Sequence, residues 1–516
     1  MPIHSANRDF VVTALRALEL VAEHSSLDAT TNPLPKPPIV GSGVYIGLAG
    51  HAWVYLHLWL CLRQDATLRA HVHAALRDSS PARSSPWLDF AGVPDSDEAS
   101  GALRWLLVQA RDLARTALEA AIAAAARGRS QRMTLLEGGL IGTLVVLVIT
   151  HEALGEHEEA IAALRALIEF GKRNVLPAPR EACELLYGRA GYLSALQHAR
   201  AGLSAIHRLQ EDEPLRPALQ EALRDLNSLA NAVLDQLFNE GVKHENALEY
   251  RWGDTVYLGC AHGLAGIVHV ILDEIAFVVD ARTIAASEEW QPEFEALFTP
   301  DRLARVRQSV RQLITHQFAS GNLEPIDESP ASDRLVQWCH GAPGRIFTIA
   351  ALLRLSRWSH EFRSDPSMEW AQRIRQDLCV PVGSPEYASM ERAMDRAGDA
   401  VGLRGMSAKG VGLCHGVSGH VYALLRLHRH YAESGNTDEG NERWLRYALE
   451  FAKCVARGFT MQTGDKAVLD LLASADRPWS LYEGAAAVPC VLLDILSPMG
   501  ARQPGFELWA SSVDRV

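Results

Sequence analysis

The sequence is short of several things, and each shortage excludes something. Aromatic residues make up only 7% of the 516 residues and no long alternating apolar/polar pattern appears, so strands are not expected to build the fold. The eight cysteines are scattered with no CxxC pair, so no local metal-binding spacing or disulfide framework is visible, and a reducing cytoplasm is the expected home. Positive charge falls short of negative, 50 Lys and Arg against 62 Asp and Glu, for a net charge of -12. That argues against a general nucleic-acid binder, and an anionic ligand would need a local basic pocket set against the global charge. At the N-terminus, Arg8, Asp9, Arg16 and Glu19 interrupt any signal-peptide core, and residue 2 is not the glycine that myristoylation needs. The longest uncharged apolar run, residues 138–150, is too short to span a bilayer and reads as a buried helix, so no transmembrane segment is expected.

What is present is a repeat. A chain of this length suggests about two to four domains, with a large toroid as the main exception. GxxG followed by a strongly apolar run occurs as GLAG (47–50), GLIG (139–142), GRAG (188–191), GLAG (263–266), GAPG (341–344) and GVSG (416–419), with a degenerate GAAA at 484–487. Amphipathic stretches such as 103–126 and 446–459 lie between the copies. Each repeat therefore reads as an outer amphipathic helix, a Gly-rich turn and an inner helix that is apolar on most faces. The first and last copies are as apolar as the rest, which favours a closed ring over an open solenoid with polar caps. The expected fold is all-α, a double-layered (α/α)7 toroid formed by residues 1–516 as one domain, with repeat motifs from about 41 to 508. The charged, Pro-bearing segments 77–98, 283–301 and 360–400 read as surface loops or insertions.

In a closed ring the turns lie at one end, so residues far apart in sequence meet there. Just before the first glycine of copies four, five and six stand His262, His340 and His415, preceded by Ala261, Cys339 and Cys414. Two thiolates and one imidazole form a good, electrically neutral zinc set with a fourth position left open. An open position suits a substrate thiol, whose acidity a metal raises, and so suits sulfur addition better than hydrolysis. The alternative is that these cysteines are only small buried apolar groups. His340 and His415 are equivalent by position, so the residues alone leave the choice of ligand open. Trp338 reads as packing.

GCAHGLAGI, WCHGAPG, GLCHGVSGH, SLYEG, ELLYGRAGYL (184–193) and the closing ARQPGFEL (501–508) resemble the lanthionine synthetase C-like proteins, specifically their eukaryotic branch. The resemblance runs from about residue 41 to 508. It implies an (α/α)7 toroid with one catalytic Zn²⁺ held by Cys339, Cys414 and His415. It makes His262 the acid/base that protonates the enolate formed when a thiolate adds to a dehydroamino acid; the alternative for His262 is a helix-capping or packing role. Glu184 falls at the acidic position paired with the active-site His in bacterial members, although Cys183 stands where Asp is common in relatives. His340, in the WCHG form of the eukaryotic branch, is a further catalytic candidate.

Bacterial members cyclise peptides by adding Cys to dehydroalanine or dehydrobutyrine. Eukaryotic members bind glutathione and are associated with adding it to such residues in proteins or peptides. The implied partners are thus glutathione and a dehydroamino-acid-containing peptide or protein. Links of the family to kinase signalling and membrane-associated receptors extend that to kinases and to peripheral membrane or nuclear locations. Arg334, Lys409, Arg404 and Arg477 are candidates to hold the glutathione carboxylates. Departures from the family pattern are GAAA in the last repeat with Pro489 after it, Arg345 where an apolar residue is usual, GGLIG in the second repeat, and no clear match for an N-terminal glutathione-binding Arg, with Arg8 the candidate. Two other functions compete. One is a glutathione- and zinc-binding regulatory scaffold without turnover. The other is a carbohydrate-active toroid, for which Glu137, Glu184 and Glu483 are the available carboxylates.

Overall fold

The computed structural model describes residues 3–23, 42–78, 99–128, 132–179, 182–209, 217–244, 246–284, 296–327, 332–358, 369–406, 409–435, 439–460, 475 and 477–509. Among them, seven inner helices follow the repeat turns: Leu48–Gln64, Gly139–Leu154, Arg189–Leu209, Leu264–Ile284, Ala342–Trp358, Val417–Glu433 and Ala487–Asp494. Seven outer helices precede them: Ile3–Glu23, Ala99–Ala126, His157–Phe170, Pro217–Glu240, Pro300–Thr315, Pro385–Arg404 and Glu439–Thr460. Each inner helix packs on the next, and the seventh packs on the first, so the inner layer is a closed ring within an outer one. The chain is an (α/α)7 toroid.

The two layers differ because their sequences do. In Gly139–Leu154 every residue from Ile141 to Glu152 is buried, as an apolar helix surrounded by helices must be. Pro300–Thr315 buries only one stripe, including Leu303, Val306, Val310 and Leu313, and turns charge outward. Its start is set by Thr299, whose side chain accepts the Arg302 N–H, with Pro300 in the first turn. Ser384 and Pro385 do the same for Pro385–Arg404, with the Tyr387 N–H as the capped donor. That helix begins within 360–400, and Glu369–Arg373 and Ile374–Leu378 are helical too, so the loop expectation for this segment is corrected over residues 369–378 and 385–400. The charge density misled, because an outer helix presents a polar face to solvent. The loops expected at 77–98 and 283–301 fall mostly outside the described residues.

The ring is stitched at one end by backbone bonds between successive turns. Tyr45 N–H donates to the Leu136 carbonyl (2.9 Å), Leu186 to Ala261 (3.2 Å), Ala261 to Cys339 (3.2 Å), Cys339 to Cys414 (3.4 Å), Cys414 to Tyr482 (2.8 Å) and Tyr482 back to Tyr45 (3.1 Å). The remaining step, from the second turn to the third, is made by the Thr134 hydroxyl donating to the Leu186 carbonyl at 2.6 Å and the Leu135 N–H donating to the Gly191 carbonyl at 3.0 Å. The donors of the other steps stand two residues before the first glycine, which shows that Gly138, not Gly139, opens the second repeat. Gly138 is also the residue that precedes the inner helix there. The second glycine of a turn is fixed by close approach: a Cβ on Gly266 would lie 2.0 Å from the Cys260 carbonyl oxygen, and one on Gly419 2.0 Å from that of Leu413. In the seventh repeat Ala487 takes that place, and the inner helix starts only there.

The buried Arg345 is accommodated by donating to the Gly321 carbonyl at 2.8 Å. The C-terminal segment fills the middle of the ring: Trp509 stacks on Trp53, Phe506 stacks on His269, and Glu507 pairs with Arg429. An antiparallel hairpin, Val242–His244 with Ala247–Glu249, turns at Asn246 (φ 63°) and leads into residues 250–257 beside the fourth turn. Among the described residues no helix is long and apolar enough to cross a membrane.

Candidate functional site at the ring of turns

Because the turns are stitched together, the residues just before their first glycines face one another. Tyr187 stacks on His262 (centroids 5.6 Å apart) and His262 faces His340 (6.0 Å). His340 and Glu483 in turn act electrostatically on or with His415. The Gly138 register adds Glu137 to this circle, and it interacts with Glu483, Glu184 and His262. Burial pushes the Glu137 carboxyl above its ordinary range; Arg132 opposes this, and the two neighbouring carboxylates add to it.

Cys339 Sγ, Cys414 Sγ and a ring nitrogen of His415 lie within 4.8 Å of one another. His340 is not part of that group. Both cysteines are buried, and Cys339 also approaches the Gln337 side-chain oxygen at 3.5 Å. Burial pushes the Cys414 thiol up and Cys339 pushes it further, with His415 opposing both. Burial lowers His415, but the Cys414 thiol and Glu483 outweigh it and raise it. Two thiols and an imidazole converging in a buried place fit a divalent zinc ion, whose charge two thiolates neutralise. Tyr45 belongs to the same corner: its phenol hydrogen-bonds with Cys414, and it stacks on Tyr482 at 4.7 Å. Burial pushes that phenol well up, with Cys414 and Cys339 adding to the effect.

On the turn next to that of Cys339, His262 Nδ1 is 2.9 Å from Glu184 Oε2. Glu184 is buried and also accepts the Leu186 N–H at 2.8 Å, so its own position is fixed by the third turn. A carboxylate at Nδ1 selects the tautomer with the proton there and leaves Nε2 as the working atom. Trp252, 38% exposed, lies flat on the imidazole at 4.1 Å and 6°. His340 is pushed down to about 4 by burial, with His262 and His415 adding, which keeps its ring neutral.

The four cations expected to bind an anion have different surroundings. Lys409 and Arg334 are exposed, and Lys409 lies near enough to act on His415. Arg477 is exposed on the seventh turn. Arg404 instead donates to the Asp333 carboxylate (2.9 Å) and carbonyl (2.6 Å), holding the loop that carries Arg334. Arg8 lies exposed on the first outer helix.

Sequence reasoning missed Arg132, which lies over the Tyr187 ring at 4.3 Å, as well as Tyr45 and Trp252. Two of these left a signal. Tyr45 holds the repeat position of Cys339 and Cys414, and Arg132 is within one residue of the position shared by Arg334, Lys409 and Arg477 once Gly138 opens the second turn. Trp252 sits in a non-repeating loop and left none.

Comparison with known proteins bears on the family and the fold. The family description "Lanthionine synthetase C-like protein" matches residues 107–508. "Glutathione S-transferase LANCL1" of Danio rerio is 27% identical over 74% of this chain and 76% of its own length. "LanC-like protein GCL1" of Arabidopsis thaliana is 27% identical over 74% of this chain and 72% of its own. Among solved structures, nisin cyclase superposes with a TM-score of 0.50 at 11% identity, covering 97% of this chain and 96% of that one, a likeness of fold alone. The chain belongs to the lanthionine synthetase C-like protein family.

Proposed function

We propose that the protein, acting as one toroidal domain, adds the thiol of glutathione to dehydroalanine or dehydrobutyrine in proteins or peptides. The observation that carries the proposal is that the Cys339–Cys414–His415 cluster of the fifth and sixth turns adjoins the His262–Glu184 pair of the fourth and third, with the His340 ring 6.0 Å from that of His262. The name of the zebrafish relative supports the choice of glutathione as the thiol. Cys339, Cys414 and His415 would hold zinc, which when bound makes a substrate thiol more acidic.

The chain's own groups account for the rest. As the S–Cβ bond forms, the C=C electron pair moves toward the carbonyl and leaves an enolate. His262 Nε2 delivers a proton to Cα, and the imidazole regains the proton that the thiol gave up, so the cycle needs no redox partner. Glu184 holds the imidazole in the right tautomer and stabilises its charged form. Trp252 fixes the plane of the ring, and His340 stands beside it with ring centroids 6.0 Å apart. Lys409, Arg334, Arg477 and Arg132 are the cations assigned to the glutathione carboxylates, with Arg404 acting through Asp333.

Mass spectrometry of a dehydrobutyrine peptide incubated with glutathione and the purified protein tests this. One added glutathione, lost in His262→Ala, is expected. Glutathione binding without any adduct would instead make the protein a glutathione-binding scaffold and would overturn the catalytic reading.

A further inference from the structure

A second cluster of donor atoms lies where the ring closes. On the first inner helix, His57 and Cys61 stand one turn apart and face the last inner helix. On that helix Cys490 and Asp494 also stand one turn apart. Spacing of i and i+4 puts both members of each pair on one face of their helix. His57 Nε2 is 2.9 Å from Asp494 Oδ2, Cys61 Sγ is 3.2 Å from Asp494 Oδ1, and Cys61 Sγ is 3.4 Å from His57 Nε2. The three donor atoms fall within 4.8 Å of one another. A tetrahedral ion with bonds of about 2.0–2.3 Å sets its donors roughly 3.3–3.6 Å apart, so small adjustments would admit one.

We infer that His57, Cys61 and Asp494 form a second, structural zinc site that clasps the first repeat to the last. One imidazole, one thiolate and one carboxylate are a borderline-soft donor set whose two negative charges neutralise a divalent ion in a buried place. Cys490, buried one turn before Asp494, interacts with both Asp494 and Cys61 and is the further thiol at this seam. The Tyr422 hydroxyl, from the sixth inner helix, donates to Asp494 Oδ2 at 2.8 Å and orients the carboxylate, as outer partners of metal ligands do.

This site is separate from the ring of turns. His57 lies ten residues beyond Gly47, about 15 Å along a helix axis. Its place has a physical reason. A ring of repeats gains nearest-neighbour packing at every step, but the closing step joins residues 437 apart and bears the largest loop-closure entropy. A metal clip adds most across such a separation.

The test is metal content in the whole chain. Protein purified from zinc-supplemented culture and dialysed against metal-free buffer is expected to carry about two zinc ions, the Cys339→Ser/Cys414→Ser variant about one, and Cys61→Ser about one with a lowered melting temperature. The Cys339/Cys414 variant leaves the seam untouched, so the result does not depend on whether a seam variant folds. Cobalt(II) added to the metal-stripped form of that variant should give tetrahedral absorption bands that Asp494→Asn weakens. A Cys339→Ser/Cys414→Ser chain that is folded by circular dichroism yet holds no zinc and gives no cobalt bands would overturn the inference. It would show a metal-free hydrogen-bonded cluster instead. The proposed thiol-addition activity stands or falls apart from this outcome.

Discussion

Glu184→Gln isolates the acid/base pair with little change of shape. The glutamate makes one charge-assisted contact to His262 at 2.9 Å while accepting the Leu186 N–H at 2.8 Å. Oε2 takes both of these contacts and Oε1 accepts the Tyr187 N–H, so the glutamine NH₂ must face one backbone donor, and either way round the amide carries no charge. The protonated ring is then left without a counter-charge. Loss of one hydrogen bond to a charged group is worth about 1.5–3 kcal/mol. Because the charged imidazole is needed at the proton-delivery step, the loss falls on the transition state. It should lower kcat about 10- to 150-fold, with KM for glutathione nearly unchanged. The assay is the initial rate of peptide adduct by mass spectrometry, run alongside zinc content, expected to match wild type, and melting temperature, expected to fall modestly because one backbone donor loses its acceptor. A rate within twofold of wild type, or a loss confined to KM, would refute the assigned role of Glu184.

Three further outcomes follow from named contacts. Trp252→Ala removes the flat stack on His262, a contact of about 0.5–1.5 kcal/mol, and should lower kcat/KM about 2- to 10-fold without changing zinc content, as steady-state kinetics will show. Glu386 is driven up by burial, but hydrogen bonds from Arg311 and Arg307 outweigh that and hold its carboxyl down at about 2. Its folded value lies below its unfolded one, so its stabilisation is present above the ordinary carboxyl range near pH 4.5 and is lost as pH falls toward 2. Being partly solvent-screened, the cluster is worth about 1 kcal/mol, so Glu386→Gln should be less stable than wild type to urea at pH 7 and converge with it near pH 2. Gly266→Ala would drive a Cβ to 2.0 Å from the Cys260 carbonyl oxygen, and its urea midpoint should fall by the equivalent of about 3 kcal/mol.

Much of this architecture was legible because it repeats. Each inner helix must bury all its faces, so Ile141–Thr150 or Ile346–Leu353 can only read as interior, and seven such runs ending in like turns imply a ring. The Cys339–Cys414–His415 cluster was visible as two CHG motifs, since equal positions in a closed ring are neighbours. The errors have equally plain causes. Two adjacent glycines made Gly139 look like the opener, whereas the bond from Tyr45 to Leu136 puts Gly138 there. Pro385–Arg404 looked like a loop because its polar face outweighed the Ser384–Pro385 start signal. Trp252 could not be found, because its value lies in a contact with a residue of the next turn made from a loop outside the repeat. The His57–Asp494 pairing was hidden for a similar reason: ring closure alone joins residues 437 apart.

The central claim is that the thiol cluster and the imidazole–carboxylate pair work as one site. Measuring zinc content and glutathione-adduct rate together in wild type, Cys414→Ser and His262→Ala tests it most directly. Cys414→Ser should lose both the ion at the ring of turns and the adduct, while His262→Ala should keep that ion and lose at least about 100-fold in rate. Adduct formation at the wild-type rate by a folded Cys414→Ser protein would contradict it.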